Sequence, residues 1–162
     1  MKNPKHQVVV AIYPTSRGMG YCVFDTPRTL LDWGRSQYLL CPTTATLNKL
    51  GVLIDLYQPE VIVLEDTSAD TSRRRDRIKK RITKITEYAL SKQVPVRHIS
   101  PGEMKQAFPV ANKDVRAKDI VQVLPELESY LPPKRRAWDS IHPRMQIFDA
   151  VSLALTFFYL DT

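Results

Sequence analysis

Two unbroken runs of apolar, mostly β-branched residues constrain the fold of this chain more than any other feature. They are Val8–Ile12 and Val61–Leu64. A strand with one face in water alternates apolar and polar residues, whereas a strand that is covered on both faces is continuously apolar. The two runs therefore predict strands buried on both faces, and the second of them is expected to lie centrally in a mixed sheet.

The other elements follow from shorter patterns along the chain. Further strands are predicted at Gly20–Phe24, Ser36–Leu40 and Val94–Ile99. Helices are predicted from Thr43 or Thr44 to Tyr57, from Thr71 or Ser72 to about Gln93, from Ser100 over a short stretch, over roughly Asp114–Leu124, and over Pro143–Tyr159. Strands that first pair antiparallel and then alternate with helices predict an α/β fold, with a mixed five-stranded sheet flanked by helices. At 162 residues this is expected to be one domain, 1–162.

The charge balance points to a polyanionic partner. The chain has 24 Lys and Arg against 17 Asp and Glu, a net charge of +7, and this excess favours nucleic acid. Two cysteines and three well-separated histidines give neither a disulfide scaffold nor a four-ligand zinc pattern. Because the first residues are polar and no apolar run approaches a membrane span, we expect no membrane partner and a cytoplasmic location.

Three acidic residues are candidate site residues, two by their position and one by its apolar surroundings. Glu65 and Asp66 directly follow the second apolar run, and the carboxyl ends of strands are where open α/β sheets place their sites. Side chains alternate along a strand, so one of these two acids is expected to face the site. Asp149 lies within the strongly apolar last helix, where a carboxylate is costly to bury unless it is paired or binds a metal. The alternative is a solvent-facing position on an amphipathic helix.

Several segments together resemble RuvC-type Holliday junction resolvases, in order and over nearly the whole chain. They are Val8–Val23, Pro59–Glu65, Val94–Val96 with Glu103–Gln106, Lys113–Val121, and Phe148–Leu155. The resemblance implies the RNase H-like fold. It also implies a Mg²⁺- or Mn²⁺-dependent endonuclease that acts on branched DNA, whose carboxylates hold two divalent ions.

Carried over to this sequence, the resemblance makes Glu65 and Asp149 metal ligands and places Lys105 and Lys118 near the scissile phosphate. Two expected acids are replaced, because the first aspartate of the family corresponds to Tyr13 and a further acid to Gln146. A phenol is neutral at pH 7, and an amide ligates Mg²⁺ poorly. Asp139, in the loop before the last helix, is the best candidate for a compensating acid.

Two basic segments are candidate nucleic-acid contacts. The first is Arg73, Arg74, Arg75, Arg77, Lys79, Lys80, Arg81 and Lys84, and the second is Lys134, Arg135 and Arg136, close to Trp138. Like charges one turn apart repel, and a phosphate backbone would offset that repulsion. The alternatives are a solvated helix face for the first segment and a core tryptophan beneath a basic loop for the second.

Three hypotheses follow for the function. The first is a divergent metal-dependent endonuclease, and the second is an inactive homologue that binds nucleic acid without cutting it. The third is a scaffold whose basic helix docks an acidic protein partner. A homodimer and a monomer both stay open, because dense cations on the corresponding helix oppose the face-to-face packing that the family uses.

Overall fold

The computed structural model describes residues 6–68, 76–110, 112–134, 136 and 138–161. The strands are β1 Val9–Thr15, β2 Gly18–Thr26, β3 Thr29–Gln37, β4 Val61–Glu65 and β5 Val96–Ile99. The helices are α1 Pro42–Tyr57, α2 Asp76–Ser91, α3 Pro101–Ala107, α4 Lys113–Val123 and α5 Met145–Leu160, with a 3₁₀ helix over Pro125–Tyr130 between the last two. The predicted start of the second helix at Thr71 or Ser72 lies outside the described residues.

The five strands form one mixed sheet in the order β3-β2-β1-β4-β5. β1 pairs antiparallel with β2 and parallel with β4, and β5 adds to β4 in parallel. The carboxyl ends of β1, β4 and β5 therefore meet at one edge of the sheet, together with the tip of the β1–β2 hairpin.

Helices cover both faces of the sheet, which explains the unbroken apolar runs. Val10 and Ile12 pack in one core cluster with side chains of α1 and α2. Val9 and Ala11 pack on the other face, in a cluster with side chains of α4 and α5. The predicted apolar stripe of the second helix is confirmed, because the four residues that define it are all buried: Ile78, Ile82, Ile85 and Ala89.

Helix α3 begins where the sequence predicts. The Ser100 side chain accepts a hydrogen bond from the Glu103 N–H, and the Glu103 carboxylate accepts one from the Ser100 N–H. This reciprocal capping box satisfies two backbone N–H donors that the first turn of a helix leaves without a partner in the helix. The cap, with the nearby Arg97, holds the pKa of Glu103 below its ordinary value. It also fixes where the helix starts beside the edge of the sheet.

The predicted third strand at Ser36–Leu40 is wrong, because the strand is Thr29–Gln37. This strand lies at the edge of the sheet, and its residues are only partly buried, so it lacks a continuous apolar run. Leu39 and Leu40 instead follow it in a loop and are 85% and 83% exposed. Apolar composition alone does not distinguish such a loop from a strand.

Gly20 lies opposite Tyr13 in the hairpin, where β2 approaches α5 closely. A Cβ atom at position 20 would lie 2.1 Å from the carbonyl oxygen of Gln146. We therefore expect Gly20→Ala to lower the free energy of unfolding by about 3 kcal/mol, because the backbone of α5 must move away. Urea unfolding checks this. The control is Gly102→Ala in α3, whose Cβ meets nothing nearer than Ser100 Oγ at 3.9 Å; equal effects at both positions would contradict the prediction.

No helix in the described segments is both long and apolar enough to cross a membrane.

Candidate functional site at the carboxyl edge of the sheet

A cleft of about 240 Å³ opens beside the carboxyl end of β4. Its lining includes Tyr13 of β1, Glu65 at the end of β4, and Asp149 of α5. Lys105 of α3 also lines it, as do Lys113 and Arg116 of α4. The structure thus brings together Glu65, Asp149 and Lys105, which the sequence predicts as site residues, from three separate elements.

Glu65 and Asp66 diverge at the end of β4, as the alternation of strand side chains predicts. Asp66 lines a different cleft together with Lys79 and His98. Its carboxylate accepts hydrogen bonds from the Ser68 hydroxyl at 2.6 Å and the Ser68 N–H at 2.9 Å. These bonds, the hydroxyl first, hold the pKa of Asp66 below its ordinary value. Of the two acids, only Glu65 faces the cleft that contains Asp149.

Asp149 is buried, with 6% of its side chain exposed, and it is held by two cations of α4. Lys113 Nζ lies 3.1 Å from Asp149 Oδ1 and 3.2 Å from Oδ2, and the Arg116 guanidinium lies 3.8 Å from Oδ1. A carboxylate in an apolar helix needs such partners to remain charged. The sequence-based expectation that Asp149 is either paired or metal-bound is met by pairing.

Lys113 also faces the aromatic ring that replaces the first family aspartate. Its Nζ lies 5.3 Å from the centre of the Tyr13 ring, within the range of a cation–π contact. Burial alone would lower the pKa of Lys113, but the charge of Asp149 and contact with Tyr13 raise it above its ordinary value. Lys113 is therefore a fixed positive charge between Tyr13 and Asp149.

These residues do not fit the pair of divalent ions that the family resemblance implies. The described residues contain no group of three or more His, Cys, Asp or Glu side chains that could hold a metal ion. Tyr13 offers a neutral phenol, and both Asp149 oxygens contact an ammonium group. Divalent ions of this kind need several carboxylate oxygens, and a cation already at the carboxylate repels them.

Gln146 and Asp139 are not part of the lining of this cleft, and His142 in the loop before α5 is not either. Gln146 lines a separate cleft of about 180 Å³ with Arg17 and Arg35. The Asp139 carboxylate accepts a hydrogen bond from the Arg136 N–H, and the His142 ring accepts one from the Arg144 N–H. Each of these two groups is thus engaged within the loop that precedes α5.

Lys118, which the resemblance places near the scissile phosphate, does not line the cleft that contains Glu65 and Asp149. Lys118 is exposed and lines a further cleft, of about 300 Å³, together with Lys134 and Met145. Lys113, which no sequence pattern singled out, reaches Asp149 instead. The available signal was that Lys113 and Arg116 are three residues apart and so lie on the same face of α4.

Helix α2 presents only part of its charge to solvent. Arg77, Lys80 and Lys84 are exposed, and Lys79 is partly buried. Arg81 is 2% exposed, and it donates hydrogen bonds to the Thr15 carbonyl oxygen and, at 3.2 Å, to the Thr43 hydroxyl. Arg81 therefore has a structural role, which corrects its sequence-based assignment as a nucleic-acid contact. Arg73, Arg74, Arg75 and Arg135 lie outside the described residues.

Comparisons with solved structures give the same fold at low sequence identity. The chain is similar to Thermus thermophilus RuvC in complex with a Holliday junction substrate, with a TM-score of 0.66, 20% identity and 96% of each chain covered. It is similar to the yeast mitochondrial Holliday junction resolvase Ydc2, with a TM-score of 0.58, 16% identity, and 98% of this chain and 80% of that chain covered.

A third similar structure is the Fowlpox virus resolvase in complex with Holliday junction DNA, with a TM-score of 0.54, 16% identity, and 95% and 97% of the two chains covered. No family model matches the sequence, and no curated protein does. The likeness to the solved structures, together with the strand order, confirms the fold predicted from the sequence. The chain has the RNase H-like fold of the RuvC-type Holliday junction resolvases.

Proposed function

We propose that this protein binds branched DNA on a resolvase-type fold and does not cut it by the two-metal reaction. The absence of two-metal cleavage is inferred from one observation, the contact of Lys113 Nζ with both carboxylate oxygens of Asp149. The ammonium group of Lys113 repels a divalent ion from the carboxylate that a metal-dependent reaction would use. The binding of branched DNA is supported by the fold, by the excess of basic residues and by the exposed cations described next.

Three clefts surround the N-terminal half of α5, and exposed cations line each of them. Asp149 faces the first, Gln146 the second and Met145 the third. We name their exposed cations the α5 basic surface: Lys105 in the first cleft, Arg17 and Arg35 in the second, Lys118 and Lys134 in the third. Cations spread over several clefts suit a ligand with phosphates along more than one strand.

The exposed part of α2 is a second cationic region, on the other face of the sheet. It consists of Arg77, Lys80 and Lys84, and Lys84 forms an ion pair with Glu87 at 3.8 Å. Part of this charge is therefore already balanced within the helix. DNA contact by α2 stays a prediction, and its contribution is expected to be smaller than that of the α5 basic surface.

Charge reversal on the α5 basic surface tests DNA binding. Arg17→Glu with Arg35→Glu is expected to weaken binding to a labelled four-way junction at least about tenfold, and to lower the slope of log affinity against log salt by about two. Fluorescence anisotropy at several salt concentrations measures both quantities. Arg77→Glu with Lys80→Glu measures the contribution of α2 in the same way.

The matched control reverses the same number of charges at the opposite edge of the sheet. Arg28 lies in the β2–β3 turn, and Lys92 follows the end of α2, where both are exposed. Arg28→Glu with Lys92→Glu is expected to retain most of the affinity. Equal loss in both double variants would indicate nonspecific attraction, and salt-insensitive binding to an acidic protein with none to DNA would favour the scaffold hypothesis.

Metal-dependent cleavage of the same DNA is the second candidate function. It is favoured by one observation, that Glu65, Asp149 and Lys105 line a single cleft. Incubation of the labelled junction with wild type and with Asp149→Asn, in Mg²⁺ or Mn²⁺, separates the two functions. A shifted band without product from either protein supports binding alone, whereas product from wild type that Asp149→Asn fails to form would establish a nuclease.

A further inference from the structure

Trp138 is a large apolar side chain that is exposed to solvent. It is 77% exposed, whereas Trp33 in β3 is half-buried and packs edge-to-face against Tyr130 with ring centres 5.9 Å apart. The sequence left open whether Trp138 is a core residue beneath a basic loop, and the structure answers that it is not. An indole exposed to this degree contributes little to the folded core, so its position calls for another explanation.

Two hydrogen bonds join Arg136 and Asp139, which lie close to Trp138 in the chain. The Arg136 N–H donates to Asp139 Oδ2 at 2.9 Å, and the Asp139 N–H donates to the Arg136 carbonyl oxygen at 3.0 Å. The Arg136 guanidinium lies 5.7 Å from the centre of the indole ring. The exposed ring therefore lies beside a cation.

Charge distinguishes the class of partner that this surface fits. Arg136 lies beside Trp138, Lys134 and Arg144 are exposed in the segment that precedes α5, and the carboxylate of Asp139 accepts a hydrogen bond from the Arg136 N–H. An exposed aromatic ring among cations fits a ligand that carries both a flat π-face and phosphates. A nucleotide has both, whereas an apolar protein segment carries no phosphate for the cations to contact.

We propose that Trp138 is a stacking platform for an unpaired nucleobase of DNA that is bound on the α5 basic surface. The segment that carries Trp138 leads directly into α5, whose first residue, Met145, lines the cleft of Lys118 and Lys134. Bases inside a continuous duplex are already stacked on one another, and removing one from the stack costs least where pairing is interrupted. Trp138 thus gives a preference for branched or single-stranded DNA over linear duplex. This inference rests on the proposed function.

Tryptophan fluorescence provides a direct test, because the chain has only two tryptophans. In the Trp33→Phe variant, Trp138 is the single tryptophan, and a base stacked on its ring is expected to quench the emission. We expect quenching on titration with a four-way junction that carries unpaired bases at its centre, and little change with a linear duplex of the same sequence at saturating concentration.

Affinity provides the second readout. Trp138→Ala is expected to bind the junction about tenfold more weakly and the linear duplex with unchanged affinity, while Trp138→Phe keeps part of the preference. Leu56→Ala is the control, since Leu56 is another exposed apolar residue, on α1, with 67% of its surface accessible. It is expected to leave both affinities unchanged.

The outcomes separate this inference from the proposed function. If Trp138→Ala and wild type bind the junction equally and the emission does not change, the inference is overturned while DNA binding stands. If wild type shows no salt-dependent DNA binding at all, the proposed function fails and this inference with it. If light scattering finds that wild type is a dimer and Trp138→Ala a monomer, the ring belongs to an interface between copies, which also overturns the inference.

Discussion

Lys113→Met is expected to lower the free energy of unfolding by about 3 kcal/mol, because Lys113 is 32% exposed but its loss leaves the charge of the buried Asp149 poorly compensated. The remaining Arg116 lies 3.8 Å from Asp149 Oδ1, too far to replace two contacts near 3 Å. Urea unfolding measures the effect. Lys118→Met is the matched control, because the same substitution on the same helix then falls on an exposed side chain.

The double variant Lys113→Met with Asp149→Leu isolates the pair itself. Once both charges are gone, no charge is left buried without a partner, so most of the lost stability is expected to return.

The difference in stability between wild type and Lys113→Met also depends on pH. The pKa of Lys113 is raised above its ordinary 10.5 in the folded protein, so, while Asp149 is ionised, the contribution of Lys113 to stability is fully present below pH 10.5. That contribution is lost as the pH rises through the raised pKa. Equal stability of wild type and Lys113→Met at neutral pH would contradict the structural role of the pair.

The second large effect is expected from rebuilding the cleft for metal ions. Tyr13→Asp with Lys113→Ala places a third carboxylate beside Glu65 and Asp149 and removes the ammonium group that competes for Asp149. We expect this variant to bind Mn²⁺, with a gain in unfolding free energy of about 2.7 kcal/mol when the ion is present at about 100 times its dissociation constant. Isothermal titration and urea unfolding with and without Mn²⁺ measure binding independently of any activity.

The control for the rebuilt cleft is Tyr13→Phe with Lys113→Ala, which removes the ammonium group without adding a carboxylate. It is expected to show no comparable gain, and wild type is expected to show none. Stoichiometric binding of Mn²⁺ by wild type would contradict the conclusion that the residues of this cleft do not fit divalent ions. It would also return the metal-dependent endonuclease to the first place among the functional hypotheses.

Most of the fold was predictable because its central elements carry strong local signals. The continuous apolar runs in β1 and β4 indicate strands covered on both faces, and Ser100 with Glu103 marks the start of α3. The edge strand β3 was misplaced because its residues are half in water and follow no clear alternation. Its place is fixed by pairing with β2, which is a long-range interaction that local patterns do not contain.

The acidic residues of the site could be predicted from the sequence, whereas the basic residue that pairs with Asp149 could not. Glu65 follows from its position at the end of a central strand, and Asp149 from the cost of a carboxylate in an apolar helix. The partner of Asp149 depends on how α4 lies against α5, so spacing along the chain could not choose between Lys113 and Lys118. The burial of Arg81 was available from spacing, because it lies three residues after Ile78 and four before Ile85, on the apolar stripe.

Arg81 has a consequence for the dynamics of the edge that carries the clefts. Its guanidinium extends from α2 and bonds both the Thr15 carbonyl at the hairpin tip and the Thr43 hydroxyl at the start of α1. A local opening of the hairpin tip, of the start of α1 or of α2 would break at least one hydrogen bond of a buried guanidinium, so separate fluctuations are penalised. The three segments are therefore expected to behave as one cooperative unit. Amide protons of the hairpin tip and of the middle of α2 should then exchange with solvent through a shared opening event, although 66 residues separate Thr15 from Arg81.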